Sequence, residues 1–279
     1  MKIVLSIAGY DPSSGAGVTA DLMVFAAHRL FGTSCITALT VQSTQGVLST
    51  HPVPEEIVGD TLDCLDADLP PSGIKIGMVV NAHNIFRISN YLETVKARPT
   101  NFEGPLEVPV VLDPVIRSSS GRELLDRPGL IALQERILPQ VDWITPNLDE
   151  LAALLGKTEV DRGDIPAACA ELQMSVAPKR GRRHCLGIIA TGGHLDHPDD
   201  FLLMPSGAGI WLSGERVATR STHGTGCGFS STFLSRLVLG DDPEEAAKTA
   251  KRYVAEALRS ARSIGRGMGP INHLWRLLQ

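Results

Sequence analysis

The sequence predicts an α/β/α domain built on a mostly parallel sheet. Short apolar, β-branched runs alternate with longer segments of helical period, the pattern expected when strands are joined by crossover helices. The 279 residues are 43% hydrophobic, enough for one large buried core. No stretch rich in Pro, Gly or Ser divides the chain, so residues 1–279 are expected to form a single domain.

In order, strands are expected at 2–7, 34–40, 73–76, 109–112, 142–144, 186–190, 201–204 and 209–211. The helix at 16–30 places Val18, Leu22, Phe25, Ala26 and Leu30 on one stripe, and that at 81–95 does the same with Ile85, Ile88, Leu92 and Val95. Asn147 caps a helix at 148–155 that Gly156 stops. Two further helices, 226–239 and 243–263, are joined by Gly240-Asp241-Asp242. Segments 96–107 and 177–184 read as surface excursions, the second solvated by Lys179, Arg180, Arg182 and Arg183.

The formal charge of −5 gives no pull toward nucleic acid or anionic lipid. The five cysteines, Cys35, Cys64, Cys169, Cys185 and Cys227, form no CxxC pair, and an odd count suits free thiols in a reducing compartment. The apolar stretch 3–8 is too short for a signal-peptide core. No run approaches the roughly 18 apolar residues of a membrane span. A cytoplasmic enzyme with a small-molecule substrate is expected.

The most informative stretch is Ser221-Thr222-His223-Gly224-Thr225-Gly226-Cys227. A Gly-Thr-Gly turn opening a helix aims unpaired N–H groups and the positive end of the helix dipole at one point, an anion site suited to a phosphoryl group in transfer. Cys227, in the first helical turn, is where a thiol is expected to have a depressed pKa and to accept a proton from a substrate hydroxyl. The plainer alternative is a glycine-capped helix with an inert cysteine. No Walker-type lysine follows, so this is not a P-loop.

A second loop, Gly9-Tyr10-Asp11-Pro12-Ser13-Ser14-Gly15-Ala16-Gly17 with Asp21 beyond it, lies at the carboxyl edge of the sheet, where α/β enzymes bind ligands. Its glycines lack the dinucleotide-fingerprint spacing. Asp11 reads equally as a turn former and Asp21 as a helix-face charge. Gln42 offers an amide that can donate and accept at once, suited to a ring nitrogen beside an amino group. Met78 and Val115 are candidate apolar walls, although a methionine after a strand is more often core. Asp113, at a strand end, and Glu150, at a helix start, are candidate Mg²⁺ holders; Glu150 also suits a capping box with Asn147. Thr191-Gly192-Gly193-His194 is another backbone-rich turn on that edge.

Taken in order, Ala8-Gly9-Tyr10-Asp11-Pro12, Ile36-Thr37-Ala38-Leu39-Thr40-Val41-Gln42, Lys75-Ile76-Gly77-Met78, Val111-Leu112-Asp113-Pro114-Val115, Ile144-Thr145-Pro146-Asn147-Leu148-Asp149-Glu150, Thr222-His223-Gly224-Thr225-Gly226-Cys227 and Gly267-Met268-Gly269-Pro270-Ile271-Asn272-His273 make the chain resemble, over nearly its whole length, the hydroxymethylpyrimidine/phosphomethylpyrimidine kinases of thiamine biosynthesis. The resemblance implies a three-layer ribokinase-like fold and two successive ATP-dependent phosphorylations. It implies a pyrimidine read by Gln42 among Gly9, Ala16, Asp21, Met78 and Val115. Cys227 would be the catalytic base, with Gly224, Thr225 and Gly226 as the anion hole. Asn147, Thr191, Gly193 and Thr225 would hold ATP, and Asp113 and Glu150 would hold Mg²⁺. A homodimer is also implied. Pyridoxal or pyridoxine kinase, and a non-catalytic pyrimidine-binding protein, stand as alternatives. The family usually carries one lysine where this chain reads Arg117-Ser118-Ser119-Ser120-Gly121 and another where it has Thr191. Arg117 or Arg122 is the candidate replacement for the first, and the basic cluster at 179–183 for the second. Tyr10 stands where a small polar residue is usual.

Overall fold

A computed structural model describes residues 1–98, 107–118, 121–180, 185–193 and 197–277. The strands are β1 (Ile3–Tyr10), β2 (Phe31–Ser43), β3 (Gly46–Pro52), β4 (Ile74–Ile76), β5 (Val110–Leu112), β6 (Trp143–Ile144), β7 (Gly187–Ala190), β8 (Asp200–Leu203) and β9 (Gly209–Leu212). The helices are α1 (Gly17–Ala27), α2 (Glu55–Asp68), α3 (Ala82–Lys96), α4 (Arg127–Ala132, continued by a π-helical turn at Leu133–Ile137), α5 (Leu148–Leu154), α6 (Ile165–Val176), α7 (Thr225–Leu239) and α8 (Pro243–Arg259).

All nine strands join one sheet in the order β3-β2-β1-β4-β5-β6-β7-β8-β9. The pairs from β2 to β7 are parallel; β3 at one end, and β8 and β9 at the other, run antiparallel. The central strands read as continuous apolar runs because helices cover both faces. Val110–Leu112, for example, is buried throughout. One core layer gathers Ile85, Ile88, Leu92, Leu133 and Leu172 against the sheet; the opposite layer packs Phe229, Phe233, Leu234 and Trp143.

Helix α3 matches its expected stripe, and its start is fixed by the Asn81 side chain accepting the Asn84 N–H. The stripe expected on α1 is displaced. Ala26 is exposed and Leu22 half-buried, while Asp21 and Val24 are buried, because α1 packs against α7 as well as the sheet. Helix α8 ends at Arg259, four residues before the expected boundary. Sequence patterning missed β3, α2, α4 and α6. β3 is polar and half-exposed, and α2 buries only Val58, Gly59 and Leu62. The excursion at 96–107 lies mostly outside the described residues. In the basic segment, Arg180 is buried rather than solvated, donating to the Leu138 and Val141 carbonyls before β6. That is the edge away from the strand carboxyl ends, so Arg180 does not fold over the site; 181–184 lie outside the described residues. No helix among the described residues is long and apolar enough to cross a membrane.

Candidate active site

Parallel strands deliver their carboxyl ends to one edge, so the loops after β1, β4, β5, β6 and β7 face the same space. The start of α7 enters that space from below. Gly224 precedes α7 with φ of 88°, a conformation glycine adopts without strain. A Cβ there would collide with the Gly15 carbonyl, and one on Gly15 would collide with the His223 ring. The first loop and the last strand-to-helix turn are therefore pressed together, backbone to backbone.

Asp11 organises this contact. Its Oδ1 accepts from the Ser13 N–H (2.8 Å) and hydroxyl (2.7 Å). Its Oδ2 accepts from the N–H groups of Gly15 (3.2 Å) and Ala16 (3.0 Å) and lies 2.7 Å from His223 Nε2. Burial pushes the Asp11 carboxyl up, but the hydrogen bonds from His223 and Ser13 outweigh it and hold the pKa below the ordinary value. His223 Nε2 also lies 3.1 Å from Gln42 Nε2. Gln42, near the end of β2, thus meets the residue that precedes the Gly224 turn. Met78 packs against Gly9, whose missing Cβ would stand 2.9 Å from the Met78 sulfur. Val115 joins Met78, Ala38 and Leu124 in a small apolar cluster. Met78 is thus part of a buried apolar cluster, the plainer of the two readings the sequence offered for it.

Beneath the turn lies a buried polar layer that sequence reasoning did not assemble. Lys75 and Asp21 are both fully buried, with Lys75 Nζ donating to the Asp21 carboxylate at 3.0 and 3.1 Å. Asp21 also accepts from the hydroxyls of Ser6 (2.6 Å) and Ser231 (2.7 Å). The expected role of Asp21 at the substrate is corrected: its oxygens are occupied below the pocket floor. Asp113 lies 3.9 Å from Lys75 Nζ and accepts from Ser230 at 3.1 Å. Adjacent serines of α7 therefore dock on two different carboxylates. A Cβ on Gly226 would stand 3.7 Å from Asp113 Oδ2, which places that carboxylate at the opening of α7.

The expected depressed thiol is also corrected. Burial pushes the half-buried Cys227 thiol up to about 12; Lys75 pulls it down, and Asp21 and Asp113 push it further up. The helix N-terminus does not overcome desolvation here. Burial likewise raises Asp113, against the pull of Lys75 and Ser230. Glu150 is raised to about 8, first by burial and then by the charge of Asp113. Asn147 and Glu150 form a reciprocal capping box, each side chain bonding the other's N–H at 2.9 Å. Two buried carboxylates that resist ionisation suit a divalent cation whose other positions are filled by water and phosphate. Among the described residues no group of three or more His, Cys, Asp or Glu side chains is placed to hold a metal ion.

Thr191 is bridged to Asn147 and donates its N–H to the Pro146 carbonyl at 2.8 Å. The Gly192 N–H is engaged by Asp200 Oδ1 at 3.0 Å, whereas Gly193 is exposed; His194 lies outside the described residues. The Arg122 guanidinium is engaged by the Val47 and Leu48 carbonyls, to which it donates. Arg117 is exposed. Sequence reasoning missed Lys75 and His223, although both lie inside motifs it had marked. Only the 212-residue separation of Asp11 and His223 concealed that they touch.

A glycine-opened helix start, a thiol beside it, one carboxylate at a strand end and another at a helix start fit a small-molecule kinase of the ribokinase-like fold. The chain belongs to the phosphomethylpyrimidine kinase family, whose model matches residues 11–272. It is 37% identical over 278 residues to a hydroxymethylpyrimidine/phosphomethylpyrimidine kinase of Haemophilus influenzae, covering 98% of this chain and 97% of that protein. A crystal structure of phosphomethylpyrimidine kinase from Clostridium difficile is similar with a TM-score of 0.74 and 30% identity, covering 92% of this chain and 100% of that one. The pyridoxal kinase of Staphylococcus aureus in complex with AMP-PCP and pyridoxal is similar with a TM-score of 0.79 and 25% identity, covering 98% and 94%.

Proposed function

We propose that this chain, acting as one domain, uses ATP and Mg²⁺ to phosphorylate 4-amino-5-hydroxymethyl-2-methylpyrimidine and then its monophosphate, in thiamine biosynthesis. The observation that carries this is the convergence of Gln42, Cys227 and Asp113 on the opening of α7, between an amide suited to the ring and N–H groups suited to phosphate. Gln42 reads the heterocycle, with Gly9, Ala16, Met78 and Val115 shaping the space around it. Gly224, Thr225 and Gly226 hold the transferring phosphoryl group through backbone N–H groups. Asn147, Thr191, Gly193 and Thr225 line the nucleotide. Asp113 and Glu150 would hold Mg²⁺, which when bound would supply neutralisation of charge developing on the phosphoryl group.

Cys227 receives the alcohol proton as a thiolate, having first released its own proton to solvent, and returns to the thiol. The thiol rests protonated, and Lys75 beneath it favours the thiolate. A carboxylate at Asp113 opposes that thiolate only while its charge is uncompensated. The test is ADP release with the pyrimidine alcohol, ATP and Mg²⁺; turnover equal to a no-enzyme blank would sink the reading. Cys227→Ala should keep the wild-type melting curve and lower kcat by about 10²–10⁴, the range for a lost general base. A near-normal rate would mean that the thiol only packs.

The likeness to pyridoxal kinase favours pyridoxine as the second substrate to test, and a higher kcat/KM for pyridoxine would reverse the assignment. The composition and free cysteines support a cytoplasmic location, which fractionation of the native cells tests.

A further inference from the structure

Asp11, His223 and Gln42 form a chain whose hydrogen bonds admit one arrangement. The Asp11 carboxylate is an acceptor throughout, with Gly15, Ala16 and Ser13 already donating to it. His223 Nε2, at 2.7 Å from Oδ2, must therefore carry its proton. A ring N–H has no lone pair to offer, yet the Gln42 Nε2 amino group stands 3.1 Å from it. Two donors face each other.

A half-turn of the Gln42 amide removes the conflict. Oε1 then accepts from the His223 ring N–H, which it shares with Asp11. Nε2 then meets Thr40 Oγ1, which lies 3.2 Å from the present position of Oε1. That hydroxyl donates to the Tyr10 carbonyl at 3.0 Å and keeps lone pairs for the amide. After the turn every group faces its complement. One lone pair on Oε1 and one N–H on Nε2 remain unengaged, and both Gln42 and His223 line the cavity beside the β2–β3 turn.

We infer that His223, anchored by Asp11, is a positioning residue that fixes which way round the Gln42 amide faces the substrate, and so sets preference for a ring nitrogen beside an exocyclic amino group. This inference deepens the proposed pyrimidine kinase reading and rests on it for the identity of the ring. An amide free to reverse would set donor against donor at an aminopyrimidine edge. Pyridoxine has no amino group beside its ring nitrogen, and it loses less.

The first measurement needs no turnover. In the full chain labelled with ¹⁵N-histidine, the His223 signals are assigned by their loss in His223→Gln. A protonated, pyrrole-type Nε2 is expected; an unprotonated Nε2 would overturn the inference, since the amide could then donate to it unturned. The second measurement is kinetic. His223→Leu should raise KM for the hydroxymethylpyrimidine about tenfold, the worth of roughly one misplaced hydrogen bond, with kcat changed less. KM for pyridoxine and for ATP should stay within about twofold. His223→Gln keeps an N–H at the same reach and should restore most of the pyrimidine affinity. Equal losses for both alcohols, or no rescue by glutamine, would overturn it. If the wild-type protein turns over neither alcohol, the kinase reading fails. Calorimetric affinity for the pyrimidine in wild type and the two variants then reads the same ratio independently.

Discussion

Lys75 shows what a single buried charge does in this site. It is completely enclosed and sits between Asp21 and Asp113. Burial opposes its charge, but Asp21, Cys227 and Asp113 outweigh that and hold its pKa above the ordinary value. Removing one member of such a pair leaves an uncompensated charge in a low dielectric, a loss of about 3–5 kcal/mol. Lys75→Met should therefore lower unfolding stability by about that amount in urea titrations. A change under about 1 kcal/mol would show that Asp21 takes up a proton at little cost. The sequence marked Lys75 only as part of a motif. Its function could not be read there, since its partners lie 54 residues upstream and 38 downstream. The positions of Asp113 after β5 and of Glu150 in a helix cap were legible because a strand end and a capping box are local patterns. Asp21 was misread because a carboxylate on a helix looks the same in sequence whether it faces water or a buried lysine.

At the scale of elements, α7 is the part on which the others are set. Its opening supplies the N–H groups, and Ser230 and Ser231 clamp it to Asp113 and Asp21. Gly224 and Gly207 separate conformation from contact, having nearly the same φ, 88° and 87°. An alanine at Gly207 meets nothing within 4 Å, so Gly207→Ala should cost only the left-handed penalty of about 1–2 kcal/mol and leave kcat/KM unchanged. Gly224→Ala adds the collision with the Gly15 carbonyl. It should destabilise further and lower kcat/KM by an order of magnitude or more, because the first loop must move. Melting curves and steady-state rates on both variants decide this; equal effects would mean that the close approach carries no function. The glycine turn opening α7 was legible in sequence because glycine spacing and a following helix are local. β3 was not, since its order comes from its neighbour rather than from its own periodicity; α6 did carry a helical period, with Ile165, Ala168, Cys169, Leu172 and Val176 on its buried side, and was overlooked.

Across the whole molecule, the sheet changes character at both ends. The parallel centre is enclosed on both faces, while β3 is left as an edge strand. Leu39, Val41 and Leu48, on β2 and β3, are 50%, 48% and 75% exposed. Apolar side chains beside an open edge favour association, and we propose that this hairpin is the contact of a homodimer. Sedimentation velocity should show a dimer that Leu48→Lys weakens; a monomer at micromolar concentration would exclude it. The parallel order of the sheet was legible in the alternation of strands and helices. The hairpin was not, because its polar strand borrows its hydrogen bonds from β2.

The pressing together of Gly15 and Gly224 has a temporal meaning. A ribosome that has released residues 1–200 has already made the loop around Asp11, the Gln42 amide, Asp113 and Glu150, yet Gly15 has nothing to press against until the turn before α7 emerges and seats itself. The contact between the first loop and the last turn therefore forms late in synthesis, after the strands it ties together.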